Sequence, residues 1–183
     1  MKCTSCNDGS LSSSHLEGLF PCQTCSNCGG NLIMLTDYLR WRDHNEDVDL
    51  STNSSIEVQV QENSKTMLCP ITGGIMTKYK ISKDSEHRLD LSPIINAIWM
   101  DKGEWELLKE SGLTTQLNNI FTSHWQYDIR SQESADILDA LYQEKFEDHY
   151  AALKEFRKTL DTMQNRSEAL AFLMADDPYR AGS

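Results

Sequence analysis

Cys3-Thr4-Ser5-Cys6 and Cys25-Ser26-Asn27-Cys28 stand eighteen residues apart, and they constrain this chain more than any other feature in it. Two residues between thiols let a tight turn aim both sulfurs at one point, and a hairpin would bring the second turn opposite the first. Two such hooks about 15–20 residues apart are the spacing of a four-cysteine zinc ribbon. The expected site is one structural Zn2+ per chain on Cys3, Cys6, Cys25 and Cys28. Gly29-Gly30 follows the last ligand, and glycine there suits a positive φ or a close approach of the backbone.

Other readings of the same thiols are weighed against this one. A pair of disulfides needs an oxidising compartment, and the chain opens Met1-Lys2-Cys3 with no apolar leader before the cysteines. A thioredoxin-like redox pair should sit after a strand in a βαβ unit, which this end does not display. Cys22-Gln23-Thr24-Cys25 is also C-x2-C, so Cys22 competes with Cys28 for a place in the set. His15 could replace a thiolate, although an isolated histidine in a polar stretch is usually solvated.

The balance of 28 acidic against 17 basic residues gives a net charge of −11, which repels nucleic-acid phosphates unless a basic patch is segregated. No apolar run approaches the roughly 18–20 residues that span a bilayer. The expectation is an acidic, cytoplasmic protein with no membrane segment and, as its natural partner, a protein carrying basic residues.

The fold class expected is α+β: a small N-terminal zinc ribbon, a metal-free ribbon-like repeat and a helical C-terminal region. Residues 1–42 form the ribbon, with Leu32–Leu35 as a short strand or turn and a helix over Thr36–Trp41. Residues 43–66 form an acidic linker containing a possible strand, since Ile56-Glu57-Val58-Gln59-Val60-Gln61 alternates strictly. Residues 67–113 contain strands over Met76–Ile81 and Arg88–Leu91, then a helix from Lys102 to about Glu110. Asp101 and Glu104 look like a capping box, with Met100 and Trp105 as its hydrophobic staple. Residues 114–180 are helical. Leu117, Ile120 and Phe121 share a face, and His124-Trp125 closes that helix. The longest helix then starts at Gln132 or Ser134 and runs to about Met163. Its stripe of Leu138, Leu141, Tyr142, Phe146, Tyr150, Leu153, Phe156, Leu160 and Met163 reads as a core face, with dimerisation as the alternative.

A repeat underlies the first two units. Cys69-Pro70-Ile71-Thr72, nineteen residues, then Ser92-Pro93-Ile94-Ile95 repeats the layout of the N-terminal hooks, but three of the four ligand positions hold Thr72, Ser92 and Ile95. The second copy should therefore keep the ribbon shape without a metal, with Ile95, Ile98 and Trp99 as its core and Cys69 as a buried thiol. Taken together, Cys3, Cys6, Cys25, Cys28 and Gly30, with Trp99-Met100-Asp101, Gly103 and Glu104 in the second copy, resemble the bacterial transcription-factor-type zinc-finger family, named for its likeness to the ribbon of general transcription factor IIB. Leu32 stands where that family has tryptophan. The resemblance covers residues 1–42 and 67–110 and implies zinc on the four N-terminal cysteines. It implies no reaction, and its transcription label is a likeness of fold.

Three functions are compatible with these features. The first is a non-catalytic, zinc-stabilised interaction or adaptor module, since four thiolates close the coordination sphere against water. Trp41, Trp105 and Trp125 are its candidate anchors. The alternative is a nucleic-acid-binding or transcription-linked regulator, for which Lys78, Lys80, Lys83, Arg88 and Lys102 would have to cluster. An enzyme is disfavoured: there is no nucleophile motif, phosphate loop or H-E-x-x-H, and although His124 with Asp128 or His149 with Glu147 can be drawn as acid–base pairs, adjacent charged residues on exposed helices are usually solvated. Thiol redox work by Cys22 is its least implausible form.

Overall fold

The computed structural model describes residues 1–45, 50 and 65–180. Most of the acidic linker, including the strand expected over Ile56–Gln61, lies outside them. The chain divides into two compact units, Met1–Glu133 and Ser134–Ser183.

The first unit is built on one antiparallel sheet of mixed α and β surroundings. Its strands are β1 (Leu11–Leu16), β2 (Phe20–Cys25), β3 (Asn31–Met34), β4 (Thr77–Lys80), β5 (Arg88–Ser92) and β6 (Ala97–Met100), in the order β1-β2-β3-β6-β5-β4. That order reads as two three-stranded meanders joined back to back through β3 and β6. The registers agree with it: Gln23↔Leu32 and Thr24↔Asn31 in one half correspond to Asp90↔Trp99 and Leu91↔Ile98 in the other. Leu32 and Trp99 pair directly at the junction. The knuckles before each meander match too. Cys3 N–H bonds to Gly9 O and Cys69 N–H to Gly74 O, while Leu11 N–H bonds to Met1 O and Met76 N–H to Met67 O. Positive φ falls at Asn7 and Gly73 in the first turn, and at Gly29 and Asn96 in the second. Asparagine is among the few non-glycine residues that tolerate that region.

Strand alternation sorts the core into two layers. Leu16, Phe20, Cys22, Ile33, Leu89, Leu91, Ile98 and Met100 face the helices, with Tyr38, Trp105, Leu108, Leu117 and Ile120 packed on them. The opposite face carries Leu11, Cys25, Leu32, Ala97 and Trp99, covered by the knuckle residues Cys3, Met67 and Cys69. The covering helices are α1 (Leu35–Asp43), α2 (Glu104–Glu110), α3 (Leu117–Ile120) and the first turns of α4 (Ser123–Phe146). Phe20 makes edge contacts with Tyr38 at 6.0 Å and Trp105 at 5.6 Å. Burial pushes the Tyr38 phenol up to about 12, and its oxygen accepts the Leu117 N–H at 3.2 Å.

Four expectations change here. His124-Trp125 opens α4 instead of closing a helix, because Trp125 packs on the sheet core and its indole N–H reaches Ile81 O at 3.0 Å. Trp105, expected to be exposed, is buried and donates to Glu17 Oε2 at 2.9 Å, while Trp41 and Trp125 are half-buried against the same core. Asp101 does not cap α2 with its side chain. The return arm of the box is made, Asp101 N–H to Glu104 Oε2 at 2.8 Å, but Asp101 Oδ1 takes the Trp99 indole N–H at 2.8 Å. Finally, Ile98 points to the helices, and Trp99 leans onto Gly30 of the other half, so neither simply fills its own copy of the ribbon.

The second unit contains the rest of α4, a single 3-10 turn at Glu147–His149, α5 (Tyr150–Thr162) and α6 (Arg166–Met174). The helix expected to run unbroken to Met163 breaks at Glu147, whose φ is 45°. Asp139 of α4 accepts from Tyr150 and from Lys154 of α5, the latter at 2.5 Å. Leu160 is buried, yet Leu138, Leu141, Tyr142, Phe146, Leu153, Phe156 and Met163 are exposed. Within this unit the stripe is therefore not a buried core face. The break at Glu147 shifts the phase of the stripe between α4 and α5.

The second half also buries two carboxyl side chains. Asp90 and Glu104 are 2% and 1% exposed, and Lys78 Nζ sits 2.8 Å from Asp90 Oδ2. Burial, then the negative Asp101 and Asp90, hold the Glu104 carboxyl well above its ordinary 4.5; the Asp101 N–H and Lys78 oppose this and lose. Asp90 is likewise raised, by burial first, with Lys78 pulling the other way. Between 4.5 and the raised folded value, native Glu104 keeps a proton that the unfolded chain has released. Stability from this group is thus greatest below 4.5 and falls as pH rises through the folded value. Urea unfolding of wild type and Glu104→Gln between pH 5 and 9 should show the wild type losing ground to the variant as pH rises. A constant difference would mean that Glu104 is ionised throughout.

Candidate metal centre

Each knuckle sulfur is placed by local backbone structure. Cys25 ends β2, paired with Leu11, and its N–H bonds to Gly30 O at 2.8 Å. Gly29 N–H returns to Cys25 O at 3.1 Å, which requires its φ of 72° and carries Cys28 round toward Cys25. The Gly9 N–H points at Cys6 Sγ (3.3 Å) and the Asn27 N–H at Cys25 Sγ (3.4 Å). Neither donor is apparent from cysteine spacing alone.

The sulfurs of Cys3, Cys6, Cys25 and Cys28 all lie within 4.8 Å of one another, with Cys3–Cys28 at 3.9 Å and Cys6–Cys25 at 3.7 Å. A disulfide needs about 2.05 Å, and all six cysteines are free. A tetrahedral ion with metal–sulfur bonds near 2.3 Å would set sulfurs about 3.8 Å apart, so this donor set fits one. The four residues could hold a metal ion; sulfur geometry does not say which. The thiols are unequal. The Asn27 side chain and the Gly9 and Asp8 N–H groups bring Cys6 down to about 6. Burial first, and neighbouring sulfurs after it, push Cys3 and Cys28 up. Four sulfurs so close cannot all ionise without a cation among them, which is the charge a bound metal would supply.

Cys22 is excluded from the set by strand parity. It lies three residues before Cys25 in β2, so the two side chains project from opposite faces. Cys22 joins the helix-side core, near Thr24 Oγ1 at 3.6 Å and Asn31 Oδ1 at 3.8 Å. His15 is exposed and belongs to no metal-holding group among the described residues. At the equivalent place in the second half, Cys69 is fully buried. Burial works against its ionisation, but Thr72, Ser92 and the Ile71 N–H outweigh it and hold the thiol below its ordinary value.

The first half is completed by a residue of the second. A Cβ built on Gly30 would lie 2.3 Å from Trp99 Cζ2, so the indole rests on bare backbone two residues from Cys28. Ser5, between two ligands, reaches Asp101 Oδ1 at 3.4 Å.

The other candidate residues lie outside this cluster. His124 and Asp128 are 3.4 Å apart on an exposed turn of α4, with the histidine side chain 87% exposed. His149 and Glu147 lie in the exposed 3-10 turn. Lys78 pairs with Asp90, Lys80 with Glu86 and Glu133, Lys83 with Asp84 and Arg88 with Glu86, so the supposed basic patch is interleaved with acids. No helix among the described residues is long and apolar enough to cross a membrane. No family model, curated protein or solved structure matches this chain.

Proposed function

We propose that Cys3, Cys6, Cys25 and Cys28 hold one structural zinc ion and that the protein is a non-catalytic module binding a basic protein partner in a reducing compartment. The four-sulfur cluster carries this reading. Two of its sulfur separations, 3.9 and 3.7 Å, suit a tetrahedral ion such as zinc, and four thiolates leave no coordination position for a substrate or an activated water. On the same reading the second half is a ribbon without metal, its hook reduced to Cys69 among Thr72, Ser92 and Ile95. The net charge of −11 favours a cationic partner, and ion pairing of the lysines and arginine on β4 and β5 weakens the case for nucleic acid.

The test is affinity capture from native cytosol with the zinc-loaded chain and with Cys28→Ser, followed by reconstitution from pure components. A basic protein that binds the wild type directly and loses the variant supports the proposal. Capture of nucleic acid with a steep salt dependence, or turnover of a substrate by the pure chain, contradicts it.

A further inference from the structure

One row of residues crosses all six strands on the knuckle-facing side of the sheet: Ser13, Gln23, Leu32, Trp99, Asp90 and Lys78, each paired with the next. The two ends of this row correspond through the repeat but differ in bulk. At the β4 end the Lys78 stem runs along the sheet to its ion pair with Asp90, the Trp99 indole meets Asp101, and Glu104 closes the space from α2. Ser5 of the facing knuckle completes it. At the β1 end the corresponding residues are Ser13, Gln23, Leu32, Met34, Asp37 and Ile71. Together with Ser14, His15, Pro21 and Cys22 they line a cavity of about 340 Å³. Serine in place of lysine removes the long side chain that pairs with the neighbouring strand at the other end, and leucine stands where the other half has tryptophan.

We propose that this cavity is a binding site for a lysine side chain of a basic partner, which would take the place there that Lys78 takes in the other half. The inference rests on the interaction-module reading above and names its docking site. Leu32, Met34 and Pro21 offer apolar surface for a four-carbon stem, and lysine commonly buries its stem while keeping its ammonium polar. Asp37 occupies the repeat position of Glu104 and supplies the carboxylate; among the described residues its ion pair is a 3.5 Å contact to Arg40, whose side chain is 80% exposed. Gln23, in the place of Asp90, offers a neutral amide oxygen. The acid therefore comes from the helix and not from the strand. The cavity also lies at the lower end of the size range of small-ligand sites, which suits one side chain better than a cofactor.

The experiment is a 1H–15N titration of the full zinc-loaded chain with an end-blocked Gly-Gly-Lys-Gly-Gly peptide and its norleucine counterpart. Saturable shifts are expected at Ser13, Gln23, Leu32 and Asp37 with lysine, and binding roughly tenfold weaker with norleucine or in Asp37→Asn, as loss of a charge-assisted hydrogen bond implies. Ser13→Lys should fill the cavity from within and abolish the shifts; Ser13 is exposed, so the core is untouched. Shifts spread over the acidic surface, equal binding of norleucine, or full binding by Ser13→Lys would overturn the proposal. Metal content and partner capture are measured on the same samples. If zinc and the partner are both retained by Ser13→Lys, only the lysine site falls; if neither is found in the wild type, the interaction-module reading falls with it.

Discussion

If Cys3, Cys6, Cys25 and Cys28 hold the zinc proposed above, replacement of Cys25 by serine is expected to abolish its binding and to unfold the first meander with its knuckles. Cys25 is 2% exposed, ends β2 and contributes a sulfur to the 3.7 Å contact with Cys6. The knuckle-side layer around it is thin: among the described residues Leu11, Leu32, Met67, Met76, Ala97 and Trp99 are its buried apolar members besides the cysteines, with Met34 and Ile95 packed at its margin. A structural zinc contributes on the order of 10–16 kcal/mol of apparent binding energy, as much as the whole stability of an ordinary domain of about 5–15 kcal/mol. Loss of the ion cannot be absorbed by so few contacts. Circular dichroism and tryptophan fluorescence should show a large loss of structure at 25 °C in the variant, reproduced in wild type by a strong chelator. An unchanged melting transition in both would show that the sulfurs pack without an ion.

The second large effect is expected at Gly30. Alanine there places a methyl 2.3 Å from Trp99 Cζ2 and 3.0 Å from Cε2, too close for the buried indole to slip past. The ring is 1% exposed and held by its N–H on Asp101, so the strain falls on the β3–β6 junction and the nearby knuckle. Overpacking of this kind costs about 1–3 kcal/mol. The other half shows the remedy, since Ala97, the counterpart of Gly30, lies in the same core layer as Leu32, the counterpart of Trp99. Trp99→Leu alone should also destabilise, by opening a cavity. Combined with Gly30→Ala it should cost clearly less than the sum, with a coupling of about 0.5–3 kcal/mol in a double-mutant cycle by urea unfolding. Additive losses would refute the contact.

How far the sequence led depended on whether a signal was local. Cysteine spacing is local, because a two-residue turn fixes where its sulfurs point, and it led directly to the four sulfurs that cluster. The repeat was legible through Cys69, Thr72, Ser92 and Ile95, and the matching strand registers are what such a repeat produces. Joining of the two meanders into one sheet was not legible, since it depends on β3 meeting β6 across more than sixty residues. Cys22 was ambiguous until Phe20–Cys25 was recognised as a strand, after which parity alone removes it. The apolar stripe after Leu138 misled because periodicity gives a face and not what covers it. The first unit has a buried core of its own, to which the described residues as far as Trp125 contribute. The cavity beside Leu32 had one sequence signal, leucine opposite tryptophan in the repeat, but it acquires meaning only when Ser13 and Asp37 are seen to stand where Lys78 and Glu104 stand.

The account rests on the metal, and the most direct test is the metal content of protein purified without chelator, measured by plasma mass spectrometry on wild type, Cys28→Ser and Cys22→Ser. The expected result is one zinc per chain in wild type and in Cys22→Ser, and none in Cys28→Ser. Zinc retained by Cys28→Ser but lost from Cys22→Ser, or no metal in any of the three with thiols free to oxidise, would contradict it.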